Sequence, residues 1–129
     1  MVKLRIVVAD DNPKMLQELV SLLKTEFDIV GTAADAGSAR DCIQRYKPDV
    51  AVLDLVMPTL NGIELTRQLN SNGHRPCVVI CSVERDREII DAARNAGALG
   101  YVFKTRMAKD LIPAVKSVAA GRAFLSPAN

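Results

Sequence analysis

Val50-Ala51-Val52-Leu53-Asp54-Leu55-Val56-Met57-Pro58 opens with four β-prone apolar residues in a row and then turns abruptly to a single acid. Four consecutive apolar residues leave no polar face, so both sides of this strand must be covered. That is the signature of a parallel sheet sandwiched between helices. The same signature recurs at Ile6-Val7-Val8-Ala9, Val78-Val79-Ile80-Cys81 and Tyr101-Val102-Phe103. Ile29-Val30-Gly31-Thr32-Ala33 is a weaker run, suited to an edge. Segments of helical period fill the gaps. Met15, Leu16, Leu19, Val20, Leu23 and Phe27 form one stripe, with Asn12 as its cap and Pro13 at its first position. Ala39, Cys42, Ile43 and Tyr46 form a second, and Leu65 and Leu69 mark a third. Ile89, Ile90, Ala93 and Ala96 stop at Gly97, and Leu111, Val115 and Val118 stop at Gly121. Five strand–helix repeats predict an α/β, doubly wound parallel sheet. Pro113 falls inside the last helical pattern and is expected to bend it or delay its first turns. Gly31, Gly37, Gly73 and Gly97 read as turn and cap residues.

The bulk properties narrow the class. At 129 residues the chain is one domain's worth, and 49% hydrophobic content is enough for a core without staples. The apolar runs are too short to span a membrane. The start, Met1-Val2-Lys3-Leu4-Arg5, has no signal-peptide pattern. Cys42, Cys77 and Cys81 are odd in number and lie in apolar segments, as reduced cysteines of a cytoplasmic protein would. A net charge of +2 without a basic block gives no reason for this chain itself to bind nucleic acid. His74, in a polar loop, has no partner at metal-ligand spacing.

In open parallel sheets, ligands bind beyond the carboxyl ends of the strands. Asp10 and Asp11 follow the first strand, Asp54 ends the third, Ser82 follows the fourth and Lys104 the fifth. With strand order 2-1-3-4-5, Asp54 lies between the acid pair and Ser82, and Lys104 reaches in from strand five. Taken singly, each has a plainer reading: the acids as helix-terminus charges, Ser82 as a cap, Lys104 as a solvated lysine. Their shared end of the sheet argues for a site. Three carboxylates in one crevice need a hard cation, and Mg2+, which takes oxygen ligands and retains waters, fits. A cation and Lys104 together can stabilise a phosphoryl group in transfer to the central carboxylate, Asp54. Ser82 can donate its hydroxyl to a phosphoryl oxygen.

Asp10-Asp11, Asp54-Leu-Val-Met-Pro58 with Asn61-Gly62, Ser82, and Gly100-Tyr-Val-Phe-Lys104 together resemble the receiver domains of bacterial two-component response regulators. The resemblance covers essentially the whole chain. It implies a CheY-like, flavodoxin-like (βα)5 fold. It implies that Asp54 takes a phosphoryl group from a sensor histidine kinase, and that Asp11, Asp54 and the backbone carbonyl of Val56 ligate Mg2+, with Asp10 acting through water. It implies that Lys104 pairs with the phosphoryl group and that Ser82 and Tyr101 form the switch. From Lys104 through Arg122-Ala-Phe-Leu-Ser-Pro127 the chain looks like the NarL/FixJ-type subfamily. There, residues 1–121 would be the receiver and 122–129 the start of a linker to a LuxR-type helix-turn-helix lying outside this chain, through which DNA is bound and transcription controlled. Such receivers also form homodimers; helices one and five are the expected face, with Lys109, Asp110 and Lys116 contributing mixed charge.

Some positions depart from the commonest receiver pattern. Val83 stands where many receivers have a smaller residue, and it is expected to narrow access to Asp54. Thr105 stands where many have Pro, so the cis peptide of those members is not expected, since a cis non-Pro bond costs about 3 kcal/mol. Val56 and Glu84 occupy positions that tune dephosphorylation in the family. Three other readings compete. A flavin-binding module would need a phosphate-holding loop where Asp10 and Asp11 would repel it. A haloacid-dehalogenase-like phosphatase would need Asp-x-Asp after the first strand. A stand-alone receiver acting by protein docking shares every motif quoted above.

Overall fold

A computed structural model describes residues 3–71 and 75–127; Gly73 and His74 lie outside them. Strands and helices alternate as read from the sequence: β1 (Arg5–Ala9), α1 (Pro13–Leu23), β2 (Asp28–Ala33), α2 (Ala36–Tyr46), β3 (Val50–Asp54), α3 (Gly62–Asn70), β4 (Cys77–Ser82), α4 (Arg87–Ala96), β5 (Gly100–Phe103) and α5 (Met107–Ala119). A 3-10 turn, Lys104–Arg106, joins β5 to α5. The sheet is parallel, with the expected order β2-β1-β3-β4-β5, the flavodoxin-like arrangement.

Alternate residues of each strand feed two separate cores. Val7, Ala9, Leu53 and Ile80 pack against Ala39 and Ile43 of α2, Leu65 and Leu69 of α3, and Ala93 of α4. Ile6, Val8, Val52 and Val79 pack on the other face against Leu19 and Leu23 of α1 and Leu111, Val115 and Val118 of α5. This two-sided burial explains why the central strands read as continuous apolar runs. Asn12 caps α1, accepting from the Met15 amide at 3.1 Å, and Pro13 is its first residue. Gly97 closes α4 at φ 115°, a conformation that suits glycine.

Four local expectations change. First, the stretch after Gly121 is not simply linker: β6 (Phe124–Leu125) pairs in parallel with β5 and makes a sixth strand. The folded unit therefore runs past the boundary expected at Gly121, because an open strand edge offers unpaired backbone groups that this segment satisfies. Second, Pro113 does not delay α5, which begins six residues earlier; packing of Leu111, Ala114, Val115 and Val118 outweighs the missing N–H. Third, Gly31 sits within β2, where a Cβ would collide with Cys42 Sγ, so it marks close packing of α2 and not a turn. Fourth, Asp110 is not part of a charged outer face of α5 but is buried there.

Candidate functional site

Each polar residue singled out at a strand end is delivered by the sheet itself. Ala9 lies opposite Leu53 and Asp54 opposite Cys81, so β1 places Asp10 and Asp11 beside the end of β3. Ser82 is the last residue of β4 and lies opposite Phe103, which puts Lys104 one residue beyond the final rung. Asp54, Asp10 and Ser82 are buried, while Asp11 is exposed. The turn after β3 is pinned by Asn61, which caps α3 by accepting from the Glu64 amide at 2.8 Å. Gly62 lies so close to the Asp54 carbonyl that a Cβ there would clash with it, which is the physical reason for Asn-Gly at this point.

Lys104 Nζ is 3.0 Å from Asp10 Oδ2 and 3.1 Å from Asp54 Oδ1. The other oxygen of Asp10, Oδ1, accepts the Asn12 amide at 2.9 Å, so Asp10 is held at both ends. Asp11 has no hydrogen bond or ion pair among the described residues. One carboxylate oxygen from each of Asp10, Asp11 and Asp54 lies within 4.8 Å of the others. Three acids against one lysine leave the crevice under-neutralised. Burial pushes the Asp54 carboxyl above its ordinary range; Lys104 pulls it back, while the charges of Asp10 and Asp11 push it further up. Burial alone would lower the Lys104 ammonium, but its hydrogen bonds to Asp10 and Asp54 outweigh that and hold it above its ordinary value. An all-oxygen set with spare negative charge and an exposed side suits a hard divalent cation that keeps part of its water shell.

Ser82 Oγ accepts the Glu84 amide at 3.0 Å, and the Tyr101 hydroxyl donates to the Glu84 carbonyl at 2.8 Å. Tyr101 is buried in this structure. Burial raises its phenol, with the Ser82 hydroxyl opposing. Glu84 was singled out from the sequence for its position, but its backbone is what joins Ser82 to Tyr101, and no side-chain pattern reports that. Val56 and Val83 are the exposed apolar residues at the rim, 69% and 73% accessible. No cis peptide occurs among the described residues, in keeping with Thr105 in place of Pro.

Residues 6–116 match the response regulator receiver domain family. The chain belongs to that family. The receiver is 34% identical over 127 residues to the transcriptional regulatory protein DegU of Brevibacillus brevis, covering 97% of this chain and 54% of DegU. It is 40% identical over 124 residues to the DNA-binding transcriptional activator DevR/DosR of Mycobacterium tuberculosis, covering 94% of this chain and 57% of that protein. A two-component response regulator of the LuxR family from Aurantimonas sp. SI85-9A1 superposes with a TM-score of 0.92 at 31% identity, over 97% of this chain and 91% of that one. The receiver thus spans little more than half the length of the two transcriptional regulators it matches. No helix among the described residues is long and apolar enough to cross a membrane.

Proposed function

We propose that this receiver accepts a phosphoryl group on Asp54 from a sensor histidine kinase and passes the change to a DNA-binding output outside this chain, in the cytoplasm. The observation that carries the reading is the shared lysine: Lys104 bridges Asp10 and Asp54 at the floor of the crevice while Asp11 stays open to solvent. Asp11, Asp54 and the Val56 carbonyl would hold Mg2+, with Asp10 acting through water. When bound, the ion supplies positive charge to the phosphoryl oxygens. An Asp54 carboxylate oxygen attacks phosphorus; the bond from phosphorus to the donor breaks and the donor leaves with its electron pair, so that an acyl phosphate remains. Lys104 then exchanges its contact with the Asp54 carboxylate for one with a phosphoryl oxygen.

Readout falls to Ser82 and Tyr101. A new acceptor beside Ser82 draws its hydroxyl toward the phosphoryl group and away from the Glu84 amide. The Glu84 carbonyl is the anchor of Tyr101, so the two states differ in how firmly Tyr101 is held inside. Phosphorylation shifts the balance between them. Homodimerisation through α1 and α5 fits the same scheme.

The test is incubation with acetyl phosphate and Mg2+ followed by intact mass and peptide mapping. The mass gains one phosphoryl group on Asp54, and Asp54→Asn abolishes the gain. An acyl phosphate on Asp10 or Asp11 instead would overturn the assignment.

A further inference from the structure

The β4–β5 ladder ends at the pair Ser82 and Phe103. The chemistry lies just past that rung, where no backbone pairing holds the two strand ends together. A side chain takes over there. The Arg85 guanidinium stacks on the Phe103 ring, its Cζ 4.5 Å from the ring centroid. Its Nη2 also donates to Thr105 Oγ1 at 3.0 Å. Phe103 and Thr105 are the residues on either side of Lys104. One planar cation from the loop that follows Ser82 therefore grips both neighbours of the lysine that reaches Asp54. Arg85 is itself braced, since the Glu84 carboxylate accepts the amides of Arg85 and Asp86 at 3.1 and 3.0 Å.

We infer that Arg85 and Thr105 form a clasp that fixes the distance between Ser82 and Lys104, making Arg85 a positioning residue for phosphoryl transfer. The inference rests on the phosphoacceptor reading of Asp54. Ser82 and Lys104 must meet oxygens of one phosphoryl group, and transfer of this kind depends on positioning and charge more than on covalent chemistry. The guanidinium suits the task because its flat face stacks while its fork donates, which an ammonium cannot do together. The clasp also gives a use to Thr105, one of the positions at which this chain departs from the common pattern: a proline there would offer no hydroxyl to accept from Arg85.

The experiment measures the rate of Asp54 phosphorylation by acetyl phosphate with Mg2+ in the whole chain. Arg85→Ala and Thr105→Val each slow it by roughly fivefold, the scale of one charge-assisted hydrogen bond at an exposed site. The double variant is no slower than the worse single one, because both changes open the same contact. Thr105→Ser restores the rate, whereas Arg85→Lys, which keeps charge but not the two-point grip, does not. Thermal midpoints stay within a few degrees of wild type, separating a loss of position from a loss of fold. Full rescue by Arg85→Lys, or multiplicative losses in the double variant, would show that Arg85 merely attracts the anionic donor and would overturn the clasp. A wild-type chain phosphorylated on Asp54 at a rate that neither variant moves overturns the clasp alone. A wild-type chain that takes no phosphoryl group on Asp54 overturns the phosphoacceptor reading, and the clasp's role with it.

Discussion

Asp54 and Asp110 are both buried aspartates, and each has a basic partner about 3 Å away: Lys104 at 3.1 Å and Arg106 at 2.9 Å. Yet they are pushed in opposite directions. Burial raises Asp54, and its lysine does not fully compensate because Asp10 shares it and Asp11 stands nearby. Burial would raise Asp110 as well, but the Arg106 guanidinium and the Ser126 hydroxyl, donating at 2.7 Å, overcome it and hold the carboxyl below its ordinary range. Ser126 Oγ in turn accepts the Phe103 amide at 3.1 Å, and the Ser126 amide donates to the Tyr101 carbonyl at 3.0 Å. Every partner of Asp110 answers it, and the result fastens α5 and the tail to β5. At Asp54 the negative charge exceeds what the protein supplies. A carboxylate left under-neutralised is open to an incoming cation and phosphoryl group; one fully answered holds the fold.

The contrast predicts opposite effects on stability. Asp110→Ala removes the acceptor for both Arg106 and Ser126 and leaves the buried Ser126 hydroxyl short of a partner. It should cost about 2–3 kcal/mol, below the full cost of breaking a buried pair because the Arg106 side chain is 24% exposed. Urea unfolding at neutral pH measures it. A loss under about 0.5 kcal/mol, the range of an ordinary surface change, would show that Asp110 does not fasten α5 to the sheet.

At the other end, Asp54→Asn should stabilise the chain in the absence of divalent cations, by about 1 kcal/mol, since it removes the carboxylate that burial and the neighbouring acids disfavour. The same urea experiment, run with chelator, reads it. If the substitution instead destabilises as strongly as Asp110→Ala, the crevice is a structural ion-pair network like the other.

These two regions were not equally legible in the sequence. Asp10, Asp11, Asp54, Ser82 and Lys104 all stand at the ends of strands with a strong apolar signature, so the topology alone was enough to gather them. Asp110 and Ser126 carry no such signal. Asp110 sits between Lys109 and an apolar stripe, where a helix ordinarily shows a solvated charge. Ser126 follows a two-residue strand too short to announce itself by alternation. Only the pairing of β6 with β5 brings the two together. The bond between Arg85 and Thr105 was hidden for a similar reason: it joins two loops twenty residues apart through side chains whose meeting depends on where the β4–β5 ladder stops. The position of the Tyr101 ring was not legible, because its burial depends on the loop backbone at Glu84 that receives its hydroxyl.

The smallest expected effect is the pH dependence of the two carboxylates. Asp54 has a folded-state pKa above its ordinary value of 3.8, so holding it ionised costs stability at neutral pH. That cost fades as pH falls through the raised pKa and is gone below the ordinary one. The advantage of Asp54→Asn over wild type should therefore shrink between about pH 7 and about pH 4. Asp110 has a folded-state pKa below 3.8, so its ionised form contributes stability at every pH above that value. That contribution is lost only as pH falls through the lowered pKa. The penalty of Asp110→Asn should accordingly stay flat across the same range and begin to fade only under about pH 4. Urea unfolding of wild type and both variants at several pH values, with chelator present, gives the two difference curves. One curve sloping while the other stays level is the expected result. Two curves that fade together would mean that the carboxylates feel the same surroundings, whatever their neighbours in the structure.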